Sequence, residues 1–127
     1  MYSKKVMKIF KNPKHIGELK NADGIGKVGN PTCGDVMEIS IKVKNKAGKE
    51  IVEDIKVKTF GCVAAISSSD ILCDMVKGKT IEEVSEITKD DVVKELGKLP
   101  PNKIHCSLLA VDALKRAVEN YKKKKKV

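Results

Sequence analysis

From Val36 onward the chain alternates, with Met37, Ile39, Ile41 and Val43 on one parity and Glu38, Ser40, Lys42 and Lys44 on the other. That period of two marks a strand with one face in a core and the other in water. A second alternating run sets Ile51, Ile55, Val57 and Thr59 against Asp54, Lys56 and Lys58. Lys46-Ala47-Gly48 lies between them, so the two runs predict an antiparallel hairpin, with Gly48 in the left-handed position of a three-residue loop. A slip of one residue would turn one strand over, so the apolar faces restrict the register to every second alignment. The alignment centred on Ala47 pairs Lys44 with Glu50 and Ile39 with Ile55, and sets Cys33 opposite Gly61.

Elsewhere the period is helical. Val6, Met7 and Phe10 share one face of the segment from Ser3 to Lys11, and Asn12-Pro13 stops it. Pro13 to Asn30 reads as an extended connection with a short edge strand near Gly26 to Gly29. After Cys62 a stripe of Ala65, Ile66, Ser69, Leu72, Cys73 and Val76 predicts a helix that Gly78 ends. Thr80-Ile81-Glu82-Glu83 is a capping box opening a short helix, and Thr88 opens another that carries Val92, Val93 and Leu96. Leu99-Pro100-Pro101 breaks the chain. A last helix starts near Asn102 with Ile104, Leu108, Val111, Leu114, Val118 and Tyr121 as its stripe, and frays into a lysine tail.

Composition narrows the class. The 127 residues fit one domain, residues 1–121, followed by a lysine-rich tail, 122–127. With no Trp, two Phe and two Tyr, its core must be aliphatic. No apolar run approaches the roughly 20 residues of a membrane span, and the N-terminus lacks the apolar region of a secretory signal. A cytoplasmic protein with no membrane partner is expected. The formal charge is +9, but only one basic residue, Arg116, is arginine, and five lysines are gathered in Lys122 to Lys126. Nucleic-acid readers combine basic patches with arginine forks or exposed aromatics, so no nucleic-acid partner is expected. Gly24-Ile25-Gly26-Lys27-Val28-Gly29 fits G-x-G-x-x-G but opens no helix, because Asn30-Pro31 follows at once. These glycines read as turn formers.

Four cysteines in a reducing compartment point to metal ligands or reactive thiols. Cys33 lies between a Pro/Gly loop and the first alternating strand, Cys62 between a strand and a helix, and Cys106 in the first turn of the last helix. Helix N-termini favour a thiolate, which makes Cys62 and Cys106 reactive or metal-binding. Asp35 and His105 stand beside Cys33 and Cys106, so three sulfurs, an oxygen and a nitrogen form a candidate ligand set for zinc or an iron–sulfur cluster. Cys73, eleven residues beyond Cys62, lies about 16 Å away along a helix axis, too far to share the metal, and reads as a core thiol. A cysteine enzyme with His105 as base to Cys106 is disfavoured, because successive helical residues point about 100° apart.

Asn30-Pro31-Thr32-Cys33-Gly34-Asp35, Gly61-Cys62-Val63-Ala64-Ala65 with Ser67-Ser68-Ser69, and Leu99-Pro100-Pro101-Asn102-Lys103-Ile104-His105-Cys106-Ser107 together resemble the IscU/NifU-type iron–sulfur cluster assembly scaffolds, from Tyr2 to about Tyr121. The resemblance implies an α+β fold, a small three-stranded antiparallel sheet with helices packed on it and a helical C-terminal half. It implies a [2Fe-2S] cluster built on Cys33, Cys62 and Cys106, with Asp35 or His105 as the further ligand, and passed on to apo iron–sulfur acceptor proteins. It also implies a cysteine desulfurase as sulfur donor, with an Hsp70-type chaperone and a ferredoxin as further partners, and a scaffold rather than an enzyme. Zinc fits the same ligands in the cluster-free form, and a small protein stapled by structural zinc is the alternative. The chain departs from the family pattern at Val63, where many relatives have a second glycine, and at Asn102, which replaces the valine of the chaperone-binding Leu-Pro-Pro-Val-Lys motif. Retention of His105 without an upstream insertion sets it apart from the SufU branch.

Overall fold

The computed structural model describes residues 3–30, 35–97 and 99–125. The elements run α1 (Lys4–Lys11), β1 (Gly24–Asn30), β2 (Asp35–Lys46), β3 (Lys49–Phe60), α2 (Val63–Val76), α3 (Ile81–Ser85), α4 (Lys89–Leu96), a 3₁₀ turn at Pro101–Lys103, and α5 (Ile104–Lys125). The strands form one antiparallel sheet in the order β1-β2-β3, and the fold is α+β. Among the described residues no helix is long and apolar enough to cross a membrane.

The hairpin keeps the predicted faces but not the predicted pairs. Ile39 pairs with Val57 and Lys44 with Ile51, rather than with Ile55 and Glu50. The turn has two central residues, Ala47 at φ 54° and Gly48 at φ 81°, both left-handed as a tight type I′ connection demands. That turn alone would put the apolar faces on opposite sides. One extra residue on β3, Glu53, is inserted between the pairs Val43–Val52 and Lys42–Asp54 and restores the match. Val52 is therefore fully buried and Ile51 is not, although simple alternation assigns Ile51 to the core. The expected pairing of Cys33 with Gly61 falls outside the described residues.

β1 is longer than the expected edge strand, and its glycines do not form turns. A Cβ at Gly26 would run into the backbone of α5, at the Ala113 carbonyl and the Ala117 nitrogen. At Gly24 it would meet the Ala117 carbonyl and come within 2.9 Å of Tyr121 Cβ. The G-x-G pair thus exists so that a helix can lie flush on a strand. The other edge of the sheet is partly covered: Gly17 N–H donates to the Val57 carbonyl (2.9 Å), Val57 N–H to the His15 carbonyl (2.8 Å), and Val52 N–H to the Lys79 carbonyl (2.9 Å).

α2 is enclosed nearly all round rather than along one stripe, with Ala64, Ala65, Ser67 to Cys73 and Val76 all buried. It packs against α1, α4, α5 and β3. Ser3 caps α1 through the Val6 N–H (3.2 Å), and Thr80 and Thr88 form full capping boxes with Glu83 and Asp91. The last helix begins at Ile104 rather than Asn102, because Pro100-Pro101 first imposes the 3₁₀ turn, closed by Lys103 N–H on the Pro100 carbonyl (2.8 Å). Leu108, assigned to its apolar stripe, is 44% exposed, and Ala113 and Ala117, both buried, instead lie where the helix meets β1. The helix continues through Lys125, so most of the lysine tail is helical.

Candidate metal centre

Two of the candidate sulfurs meet. Cys62 is the N-cap of α2, in extended geometry at φ −82°, and its side chain makes no capping bond to its own helix. Its carbonyl accepts the Ile66 N–H (3.1 Å) and starts the helix, while its Sγ lies 3.8 Å from Cys106 Sγ. Cys106 is the third residue of α5 and has no exposed surface, whereas Cys62 is half-buried. The hairpin delivers Cys62 because β3 ends at Phe60, opposite Val36, and Thr59 Oγ1 donates to the Val36 carbonyl (2.8 Å) just before the chain turns. The proline-imposed turn delivers Cys106 from the other side.

His105 joins them. Its Nε2 lies 3.7 Å from Cys106 Sγ. The two side chains touch, so the helical-wheel argument that kept them apart does not hold. The backbone of Asp35 pairs with Asn30 at the end of β1, beside the Val36–Phe60 pair and hence at the same end of the sheet as Cys62. The side chain of Asp35, and Cys33 altogether, lie outside the described residues. Among the described residues no three His, Cys, Asp or Glu side chains make a complete metal site.

Cys73 is fully buried in the core. Burial is the first cause that pushes its thiol pKa up, and the carboxylates of Asp70 and Asp74 add to it. It is a packing residue with no thiolate to offer at neutral pH.

Two polar arrangements went unnoticed in the sequence. Asp70 Oδ1 accepts the backbone N–H groups of Lys14 (2.9 Å) and His15 (2.7 Å), and the His15 ring bonds to Asp74 Oδ1 (2.6 Å), so that α2 holds the segment after α1 against β3. Only the Asn12-Pro13 stop hinted that this segment needed an anchor. The second is the serine run of α2, where Ser68 Oγ lies 3.2 Å from Ser107 Oγ, both buried. Its signal was a run of three consecutive serines in a helix that is otherwise mostly apolar.

The family model for the NifU-like N terminal domain matches residues 1–127. The chain is 54% identical over 124 residues to iron-sulfur cluster assembly scaffold protein IscU 1 of Archaeoglobus fulgidus, covering 98% of this chain and 78% of that protein. It is 50% identical over 127 residues to the iron-sulfur cluster assembly scaffold protein IscU of Buchnera aphidicola, covering 98% and 97% of the two chains. In fold it is similar to the crystal structure of a nitrogen-fixing NifU-like protein (N-terminal) from Brucella abortus, at a TM-score of 0.70 and 20% identity, covering 96% of this chain and 94% of that one.

Proposed function

Because the chain belongs to the NifU-like N-terminal domain family, we propose that it is an iron–sulfur cluster assembly scaffold that builds a [2Fe-2S] cluster on Cys33, Cys62 and Cys106 and hands it to apo-acceptor proteins. The observation that carries this reading is the 3.8 Å approach of Cys62 Sγ to Cys106 Sγ from two different helices. Two cysteine sulfurs in van der Waals contact at the meeting point of two helix N-termini suit thiolate ligation of one inorganic centre. Chain connectivity keeps Cys33 within about 7 Å of Asp35, Cα to Cα, because two residues reach no further. His105 and Asp35 are the candidates for the remaining position. An imidazole or carboxylate binds sulfide-bridged iron less firmly than a fourth thiolate, which suits cargo that must leave.

Sulfur arrives as the persulfide of a cysteine desulfurase. A thiolate of the scaffold attacks the outer sulfur; a new S–S bond forms as the old one breaks, and the donor cysteine departs as thiolate, taking the proton that the attacking thiol gave up. Cys62 is the half-buried and reachable acceptor, and Cys106 stands behind it in contact with His105. Zinc fits the same donors in the cluster-free protein. An Hsp70-type chaperone, a ferredoxin and a cytoplasmic setting belong to the same proposal. The protein is not an enzyme in the turnover sense, because its product stays bound until an acceptor takes it.

Anaerobic reconstitution with iron, cysteine and a desulfurase tests the reading. Sulfide-to-iron absorption and a Mössbauer doublet that transfer together to an apo-ferredoxin are expected. A protein that takes up only zinc and never develops the iron–sulfur chromophore overturns it.

A further inference from the structure

Ser67, Ser68 and Ser69 are fully buried in α2. Neighbouring positions on a helix point about 100° apart, so the three hydroxyls serve different elements. Ser67 Oγ donates to the Val6 carbonyl of α1 (2.9 Å). Ser69 Oγ turns back on its own helix, to the carbonyls of Ala65 (2.8 Å) and Ile66 (3.0 Å). Ser68 Oγ meets Ser107 Oγ of α5 at 3.2 Å.

Ser107 directly follows Cys106, and Ser68 lies less than two turns beyond Cys62. The serine pair therefore ties together the two helices whose first turns carry the touching sulfurs. α2 and α5 pack on each other, and the core they share is built from alanine and aliphatic side chains, among them Ala65, Leu72 and Leu114. Such packing is non-directional and resists separation more than sliding or rotation. A hydrogen bond between short, rotamer-limited side chains has a narrow range of length and angle, and fixes what the apolar contact leaves free. We propose that Ser68 and Ser107 are positioning residues that hold Cys62 and Cys106 at the separation needed to share one inorganic centre. The placement concerns the apo protein, and only its functional consequence rests on the scaffold reading.

The competing explanation is that the serines merely fill small spaces. The test is the effective concentration of the Cys62–Cys106 thiol pair, measured in a glutathione redox buffer in a Cys33→Ser background, with the disulfide mapped by mass spectrometry. Oxidised glutathione takes two electrons, the two protein thiols lose two protons and form one S–S bond, and two glutathione thiols result. Removing one serine leaves its buried partner unpaired and weakens folding, whereas removing both can be nearly neutral for stability. In the Ser68→Ala/Ser107→Ala double variant the urea midpoint should stay near that of the background, while the effective concentration falls at least about tenfold, as loss of preorganisation between reacting groups requires. An unchanged effective concentration in that folded variant overturns the proposal. A second pair covers a double variant that does not fold: Ser107→Thr keeps the hydroxyl and should retain the effective concentration, Ser107→Val has nearly the same shape and should lose it, and equal values overturn the proposal. Ser67→Ala, which loses only the bond to α1, should leave the thiol pair unchanged. Because no metal or cluster enters the measurement, its outcome is independent of whether reconstitution succeeds.

Discussion

Cys62 and Cys73 belong to the same helix and differ in everything that matters to a thiol. Cys62 is half-buried at its N-cap and touches another sulfur; Cys73 is fully buried, and its thiol is held protonated first by that burial and then by Asp70 and Asp74. Iodoacetamide at neutral pH should modify Cys62 in the folded protein and leave Cys73 untouched until denaturant is added, read by peptide mass mapping. The same burial sets a pH dependence. In the unfolded chain the Cys73 thiol ionises above about pH 8.5, while in the folded protein it stays protonated, so above that pH the unfolded state binds fewer protons. Its contribution to stability is complete below about pH 8.5 and falls as pH rises, by at most about 1.4 kcal/mol per unit. The denaturation free energy of wild type should therefore fall more steeply between pH 8.5 and about 10 than that of Cys73→Ala. Parallel slopes contradict the assignment of Cys73 as a solvent-excluded thiol. Asp35 carries a different expectation: Asp35→Ala should fold normally, still build a cluster on the cysteines, and release it to an apo-ferredoxin more slowly. Faster loss from the variant shows that the carboxylate holds the cluster instead of loosening it.

Elements were legible where one physical signal dominated. The capping box at Thr80, the helix start at Thr88, the stop after Asn12, and the alternation of β2 each name an element, and the structure has all of them. What could not be read was any feature that depends on a second element. Gly24 and Gly26 resemble turn glycines until α5 lies across them, and Ile51 resembles a core residue until the extra residue Glu53 rotates the strand beneath it. The site divides the same way. Cys62 and Cys106 were recognisable from their positions at element ends, but the His105–Cys106 contact and the Ser68–Ser107 bond require two side chains to be seen at once. Two substitutions test the element-level account. Gly26→Ala forces a methyl into α5 backbone and should cost more than about 3 kcal/mol in urea unfolding, or prevent folding, since overpacking against backbone has nowhere to relax. Ala47→Asn should stabilise the protein by about 0.5–1 kcal/mol, because asparagine tolerates the left-handed φ of 54° better than alanine does. A neutral Gly26→Ala contradicts the flush packing of α5 on β1.

At the scale of the whole molecule, the proposed centre gathers parts of the chain that are far apart in sequence. Asp35 opens β2, Cys62 closes the turn from β3 into α2, and Cys106 begins α5, the helix that covers β1 and also packs on β2, α2 and α4. A metal ion held there would cross-link the sheet to both long helices, so binding should be felt by the fold as a whole. Linkage gives the size: a ligand that binds only the folded state at a hundred times its dissociation constant adds about 2.7 kcal/mol. For a domain of this length that corresponds to a rise in Tm of about 10 °C. Zinc added to the apo protein should therefore raise Tm in a concentration-dependent way, and excess chelator should reverse it. Cys62→Ser and Cys106→Ser, each measured against its own metal-free baseline, should lose most of the shift, while Cys73→Ala should keep it. Among the described residues, His15 and Asp74 form another close pair of metal-capable side chains, at 2.6 Å. A shift that survives both serine variants but disappears in Asp74→Asn locates the metal there, and removes the convergent cysteines from the account of how this molecule binds metal.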